Sequence, residues 1–170
     1  MGKKLTAVLL TLGAIAAGLV ATPGGASAAP SYHWEIWNWN SGRCLQPASY
    51  SHGARVTQGY CDTTTWTFAP NSTGWYHLID EHTGWCMSVS GGSMAESAPI
   101  TEWTCGTSAA YDWLPVNKVT SGGIDYYQLR NRNSSKCLNV PGSQTGNGVG
   151  LIQYTCQAGA RNNLFSWATI

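Results

Sequence analysis

Eight carboxylates are the residues of this chain best suited to catalysis: Glu35, Asp62, Asp80, Glu81, Glu96, Glu102, Asp112 and Asp125. Two carboxyl groups about 5 to 9 Å apart are what glycoside hydrolysis requires. Asp80-Glu81-His82 is the densest cluster of acid and base groups. No Gly-x-Ser-x-Gly elbow, no His-Glu-x-x-His and no phosphate-cradling Gly-rich loop occurs, so serine hydrolysis, zinc proteolysis and nucleotide chemistry have no supporting motif. Six Cys and four His are the candidate metal ligands. No Cys-x-x-Cys pair is present, and His33, His52, His77 and His82 stand at no zinc-ligand spacing from the Cys. No metal or other cofactor is expected.

The composition points elsewhere. Only 10% of the 170 residues are charged, against about 25% in an ordinary globular domain. Nine Lys and Arg oppose eight Asp and Glu, for a formal net charge of +1. A basic face for nucleic acid is thereby excluded. Nine Trp and eight Tyr exclude a disordered chain. Few charges, many aromatic rings and many neutral polar groups suit a neutral, ring-shaped, hydroxyl-rich partner, although protein surfaces fit them too.

The chain opens with Lys3 and Lys4, an apolar run from Leu5 to Val20, a break at Thr22-Pro23-Gly24-Gly25 and the small-residue triplet Ala26-Ser27-Ala28. That is the layout of a secretory signal peptide, and the apolar run is shorter than the roughly 20 residues of a spanning helix. Residues 1–28 are read as the leader and 29–170 as one secreted, extracellular domain without membrane insertion. Outside the cytosol an even set of Cys favours disulfides.

The elements that must position these groups are read from a repeat. Gly42-Arg43-Cys44-Leu45, Gly84-Trp85-Cys86-Met87 and Ser135-Lys136-Cys137-Leu138 are variants of one phrase. Each is followed by a Gly/Ser-rich stretch and a short apolar strand ending in Cys61, Cys105 or Cys156. Aligned on the first Cys, three columns appear upstream: Trp34, Tyr76 and Tyr127; Ile36, Leu78 and Leu129; Asn38, Asp80 and Asn131. Apolar residues spaced by two indicate a strand with one buried face. Asn40-Ser41-Gly42, His82-Thr83-Gly84 and Asn133-Ser134-Ser135 then read as hairpin turns, which makes Asp80-Glu81-His82 part of a turn. No two acids recur as a site. A last strand closes each copy around Trp66-Thr67-Phe68, Trp113-Leu114-Pro115 and Phe165-Ser166-Trp167. The expected fold is all-β, with three repeats (about 32–70, 74–116 and 125–170) of about four strands each. One repeat cannot bury its own apolar face, so the three must close on each other. Symmetry makes the intra-repeat disulfides Cys44–Cys61, Cys86–Cys105 and Cys137–Cys156 the simplest pairing. In the first strand Trp37 and Trp39 lie one place off the core column, opposite Ile79, Glu81, Arg130 and Arg132. They form a candidate aromatic platform on the outer face.

The Gly-x-Cys-Leu phrase, the Gly-rich loop, the strand ending Trp-x-Cys and the closing aromatic resemble the ricin B-type lectin family with its Q-x-W repeat. The resemblance covers residues 32–170 and is similar to the free-standing domains that actinobacteria secrete. It implies a β-trefoil that binds galactose-type or xylan-type sugars in up to three shallow pockets. The family's main ligand residue, an Asp two places after the first Cys, corresponds here to Gln46, Ser88 and Asn139. Its stacking aromatic, two places before the second Cys, corresponds to Gly59, Trp103 and Tyr154. The polar pair before the Q-x-W aromatic corresponds to Thr63-Thr64, Ala110-Tyr111 and Asn162-Asn163. The anionic acceptor is therefore absent from all three repeats. An Asn still accepts through its carbonyl and donates through its amide. The third repeat keeps the fullest constellation, Asn139, Tyr154, Asn162 and Asn163. The second keeps Trp103 with Ser88, and the first is expected to be structural. The resulting expectation is a monomeric, non-enzymatic carbohydrate-binding module with mono-, oligo- or polysaccharide as its partner. The competing reading is a degenerate trefoil acting through protein–protein contact, as an inhibitor or surface interaction module.

Overall fold

The computed structural model describes residues 33–169, so the leader assigned to residues 1–28 lies outside the described residues. Thirteen strands form one continuous hydrogen-bonded system. The first repeat contributes β1 (Trp34–Asn38), β2 (Cys44–Pro47), β3 (Val56–Gly59) and β4 (Trp66–Pro70). The second contributes β5 (Tyr76–Asp80), β6 (Cys86–Val89), β7 (Ile100–Trp103) and β8 (Asp112–Ser121). The third contributes β9 (Ile124–Asn131), β10 (Cys137–Asn139), β11 (Val149–Gly150), β12 (Ile152–Tyr154) and β13 (Phe165–Thr169).

The pairings close a ring. β1 pairs β4, β4 pairs β5, β5 pairs β8, β8 pairs β9, β9 pairs β13, and β13 returns to β1, all antiparallel. A closed ring leaves no free sheet edge. The hairpins β2–β3, β6–β7 and β10–β12 branch from β1, β5 and β9. Six barrel strands and three branching hairpins in pseudo-threefold order are a β-trefoil. The third repeat gains a fifth, two-residue strand, β11, because Val149 and Gly150 pair with Gln58 and Thr57 of the first repeat. The strands expected to end in the second Cys of each repeat are shorter than that: β3, β7 and β12 stop two residues before Cys61, Cys105 and Cys156.

Period-two alternation fills the ring. Ile36, Leu78 and Leu129 are fully buried, as are Leu45, Met87 and Leu138 on the hairpins and Trp66, Trp113 and Phe165 on the closing strands. The two indoles also donate: Trp66 Nε1 to the Leu45 carbonyl and Trp113 Nε1 to the Met87 carbonyl, both at 3.0 Å. Each closing strand of the first two repeats is thus tied to its own hairpin, while Phe165 fills the third position without that bond. Phe68, Tyr76, Tyr127 and Trp167 form a half-buried aromatic chain, with ring centroids 4.8 to 6.0 Å apart.

The turn columns explain themselves. Asn38 and Asn131 are fully buried, and their side-chain oxygens accept from the turn amides of Asn40 and Asn133 at 3.1 Å. Their side-chain nitrogens donate across to the Leu164 carbonyl in one case and the Ala110 carbonyl in the other. Gly42 and Gly84 adopt φ of 64° and 69° in these turns, a region open to glycine at no steric cost. Ser135 takes the same place at φ 58°.

A second column ties the first repeat to the third and the third to the second. Gln58 and Gln153 are fully buried. Gln58 accepts from Ser41 at 2.8 Å and donates to the carbonyls of Gln144 and Gly146 at 2.9 Å. Gln153 accepts from Ser134 at 2.6 Å and donates to the carbonyls of Ser93 and Ala95 at 2.8 Å. The three disulfides join Cys44 to Cys61, Cys86 to Cys105 and Cys137 to Cys156, the pairing that symmetry made simplest. Each closes a loop worth about 3 kcal/mol in the chain-entropy account.

Two expected outcomes test this frame. Gln153→Ala leaves the Ser134 hydroxyl proton without its acceptor and two loop carbonyls without their donor, and is expected to cost about 2–4 kcal/mol in urea unfolding; a loss below about 0.5 kcal/mol would show that the clamp carries no weight. Trp113→Phe imitates the third repeat but strands the Met87 carbonyl and leaves a void. It is expected to cost about 2 kcal/mol by the same measurement, and unchanged stability would mean that indole donation is incidental.

Candidate functional site

The third-repeat constellation is built by three pieces of chain. In the β10–β12 pair Cys137 faces Tyr154 and Asn139 faces Ile152. Two-residue alternation therefore sets Asn139, Ile152 and Tyr154 on one face. A 3-10 turn at Pro141–Ser143 follows β10, and a second at Arg161–Asn163 precedes β13. Between them lies an open hollow of about 520 Å³. Asn139, Tyr154 and Asn162 line it together, with Ile152, Gln157 and Arg161.

Asn139 is 4% exposed and accepts from Asn162 Nδ2 at 3.2 Å; the same Asn162 nitrogen donates to the Val140 carbonyl at 2.9 Å. Asn162 thus stands where it braces Asn139 and shapes the floor of the hollow. Tyr154 is 37% exposed, so its ring offers a face for stacking. Adjacent residues in a tight turn point apart, and Asn163 turns inward. It is fully buried, accepts from Gln128 Nε2 at 3.1 Å and donates to the Gln157 carbonyl. Its place is behind the hollow, holding the 157–163 loop, and the alignment of residue columns could not separate it from Asn162.

Arg161, Gln157 and Ile152 were not singled out from the sequence. Arg161 is the one charged side chain lining the hollow, and its guanidinium lies 4.7 Å over the Trp39 ring. The same indole stacks on Tyr126, at 4.5 Å between centroids and 13° between planes. Trp39 is therefore engaged by protein side chains and serves to hold Arg161 at the rim. The half-buried Trp37 lines a separate open hollow of about 450 Å³ with Trp34, Tyr127, Asp125 and Trp167.

The second repeat keeps a smaller hollow of about 360 Å³, lined by Ser88, Gly91, Trp103, Ser108 and Tyr111. Ser88 is 2% exposed and donates to the Thr101 carbonyl. Trp103 is 40% exposed. A Cβ at Gly53 would come within 2.7 Å of its ring, so the first-repeat loop can approach this indole only as glycine. In the first repeat the Gln46 side chain lies over Gly59, where an added Cβ would sit 2.3 Å from it, and accepts from Thr63 Oγ1 at 2.9 Å. Gln46 thus occupies the room that a stacking ring would need.

Two sets of potential metal ligands meet, His77 with Cys86 and Cys105, and Glu35 with Cys44 and Cys61. Their sulfurs are bonded to each other as disulfides and are not thiolates. Among the described residues no helix is long and apolar enough to cross a membrane.

The fold has clear relatives among solved structures. The designed threefold-symmetric protein ThreeFoil superposes with a TM-score of 0.72 at 25% identity, over 81% of this chain and 99% of that one. An exo-β-1,3-galactanase from Clostridium thermocellum matches at TM-score 0.72 and 20% identity, over 82% of this chain but only 30% of that one. The Rhizoctonia solani agglutinin matches at TM-score 0.69 and 12% identity, over 84% of this chain and 98% of that one. No curated protein matches the chain. The family model for the ricin-type β-trefoil lectin domain-like family matches three overlapping segments, residues 22–103, 62–154 and 109–168. The chain belongs to that family.

Proposed function

We propose that this protein is a secreted, non-catalytic carbohydrate-binding module whose working site is the third-repeat hollow. One observation carries the reading: Asn139, Tyr154 and Asn162, from two strands and a turn, converge on one open hollow of about 520 Å³. A sugar ring laid on Tyr154 presents its hydroxyls to the amides of Asn139 and Asn162. Asn139 Nδ2 makes no hydrogen bond among the described residues, since the Asn162 bond uses the Asn139 oxygen, so it is available to donate. The family to which the chain belongs, and the agglutinin and galactanase that share its fold, support carbohydrate as the ligand class. The three disulfides fit an extracellular protein, and this reading takes residues 1–28 as its leader and the protein as a monomer.

The missing carboxylate alters the chemistry of the site. A carboxylate accepts strong, charge-assisted bonds from two adjacent hydroxyls; an Asn offers weaker neutral ones. With Arg161 as the single charge on its lining, the hollow suits neutral rings such as galactosides and also tolerates an acidic substituent. It disfavours cationic aminosugars. Recognition built on few neutral bonds is expected to be weak, with a Kd in the ~mM range for a monosaccharide.

A glycan and polysaccharide array including galactosides, xylan, arabinan and cell-wall glycans tests this with the oxidised protein. A specific hit is expected, reduced about tenfold or more by Asn139→Ala and by Tyr154→Ala without loss of fold. Arg161→Gln is expected to leave neutral ligands bound and to weaken acidic ones, most visibly at low salt. Unchanged affinity in both Asn139→Ala and Tyr154→Ala removes the third-repeat site. A blank array from folded protein would move the function to protein contact, beginning with the Trp37 hollow.

A further inference from the structure

The second repeat breaks a rule that the other two obey. Asn38 and Gln58 in the first repeat, and Asn131 and Gln153 in the third, are buried amides whose nitrogens donate to carbonyls. The matching positions of the second repeat hold two acids, Asp80 and Glu102, both fully buried. The register leaves no doubt about the match: Leu45 faces Gln58, Met87 faces Glu102 and Leu138 faces Gln153. Replacing each NH2 by an oxygen turns a donor into an acceptor. Asp80 Oδ2 and both Glu102 oxygens accordingly have no donor at hydrogen-bonding distance among the described residues, although the Asp80 carboxylate and the Thr83 hydroxyl lie close enough to act on Glu102. Asp80 Oδ1 still accepts from the His82 amide at 2.7 Å.

We propose that Asp80 and Glu102 share one proton, and that this proton latches the 48–53 loop of the first repeat, and with it the Trp103 wall of the second-repeat hollow, onto the second repeat. Three observations connect the pair to the loop. The Gly53 amide donates to the Glu102 carbonyl, and the Glu102 amide donates to the Ala54 carbonyl, both at 2.9 Å. Gly53 packs under the Trp103 ring. His52 lies 4.2 Å from Trp85 and 5.5 Å from Trp103 between ring centroids, and Tyr50 lies 4.0 Å from His82. At the other two junctions a glutamine amide clamps the neighbouring loop through two carbonyls. Here no such clamp exists, and two ionised carboxylates side by side in a buried place would repel each other and the loop carbonyls.

Among the described residues no cation relieves the pair. The groups acting on Glu102 are Asp80 and the Thr83 hydroxyl. The other titratable side chains on the surrounding elements are engaged elsewhere: His82 with Tyr50, His52 with Thr104 and Trp85, Glu81 with Thr65, Thr67 and His33, and Arg55 with the Leu151 carbonyl. Burial first, and the Asp80 charge second, push Glu102 up from 4.5 to about 8. In the unfolded chain it returns to the ordinary carboxylate range. Between about 4.5 and 8 the folded state therefore holds a proton that the unfolded state has released. Stability is full below that window and falls as pH rises through it.

Thermal unfolding from pH 5 to 8.5, combined with amide hydrogen exchange, tests the proposal on the oxidised protein. The melting temperature is expected to fall by roughly 5–10 °C across the window. Glu102→Gln restores the amide of the other repeats; it is expected to remove most of that fall and to melt above the parent at pH 8.5. Asp80→Asn leaves Glu102 buried but unrepelled, so a smaller fall should persist. The loop supplies an internal control. Gly53 donates to Glu102 as Gly148 donates to Gln58 and Ser97 to Gln153. After correction for intrinsic rates, protection of Gly53 alone is expected to drop towards pH 8.5, and not in Glu102→Gln. Parallel melting curves for parent and Glu102→Gln, or equal pH response at Gly53, Gly148 and Ser97, would overturn the shared proton. So would a pH slope abolished by millimolar Ca2+, which would mean that a cation and not a proton neutralises the pair.

Discussion

Everything in this molecule depends on three apolar faces that can be closed only by one another. A single repeat offers a strand with Ile36, Leu78 or Leu129, a hairpin with Leu45, Met87 or Leu138, and a closing aromatic, all of which end fully buried. None of these faces has a partner within its own repeat large enough to exclude water. Closing the ring from β13 back to β1 solves the burial and the edge problem together. The indoles of Trp66 and Trp113 and the amides of Gln58 and Gln153 then join layers that burial alone would leave free to slide. Those directional bonds set where each hairpin sits, and therefore where each surface hollow opens.

Threefold geometry makes three equivalent places, and the side chains then make them unequal. In the first, Gln46 lies over Gly59 and fills the space. In the second, Trp103 is backed by Gly53 and His52 from the neighbouring repeat, over a buried acid pair. In the third, the turn at Arg161–Asn163 sends Asn162 outward to brace Asn139 and Asn163 inward to hold the loop. Trp39 and Tyr126 fix Arg161 at the rim of that third place. The core is shared, and the chemistry is local to each junction.

Much of the fold was legible because its signals are periodic. Columns spaced by two, the recurring Cys phrase and the closing aromatics fixed the strands, the repeats and the disulfides. Asn139, Tyr154 and Asn162 were legible through the family resemblance, which assigns ligand positions relative to the two Cys and the closing aromatic of each repeat. What was missed depends on side-chain contacts, within and between repeats, which no column reports. Asn163 was grouped with Asn162 because a tight turn separates neighbours in a way that spacing does not show. Trp37 and Trp39 share an alternation but not an environment, since Arg161 and Tyr126 come from the third repeat to engage Trp39 alone. Asp80 was read as part of a turn, and Glu102 as one of eight acids that share no site. A signal was present, because Asn38 and Asn131 stand in Asp80's column; the Gln58, Glu102 and Gln153 column became informative only once the strand register was known.

Whether the third-repeat hollow holds a sugar is decided by titrating isotope-labelled protein with the best-binding glycan and following amide and side-chain NMR shifts. Saturable shifts are expected at the Asn139 and Asn162 side-chain amides and the Tyr154 ring, with Gln46 and Gly59 unmoved. Saturable shifts confined to the second-repeat hollow or to the Trp37 hollow, with the third repeat silent, would contradict the third-repeat site.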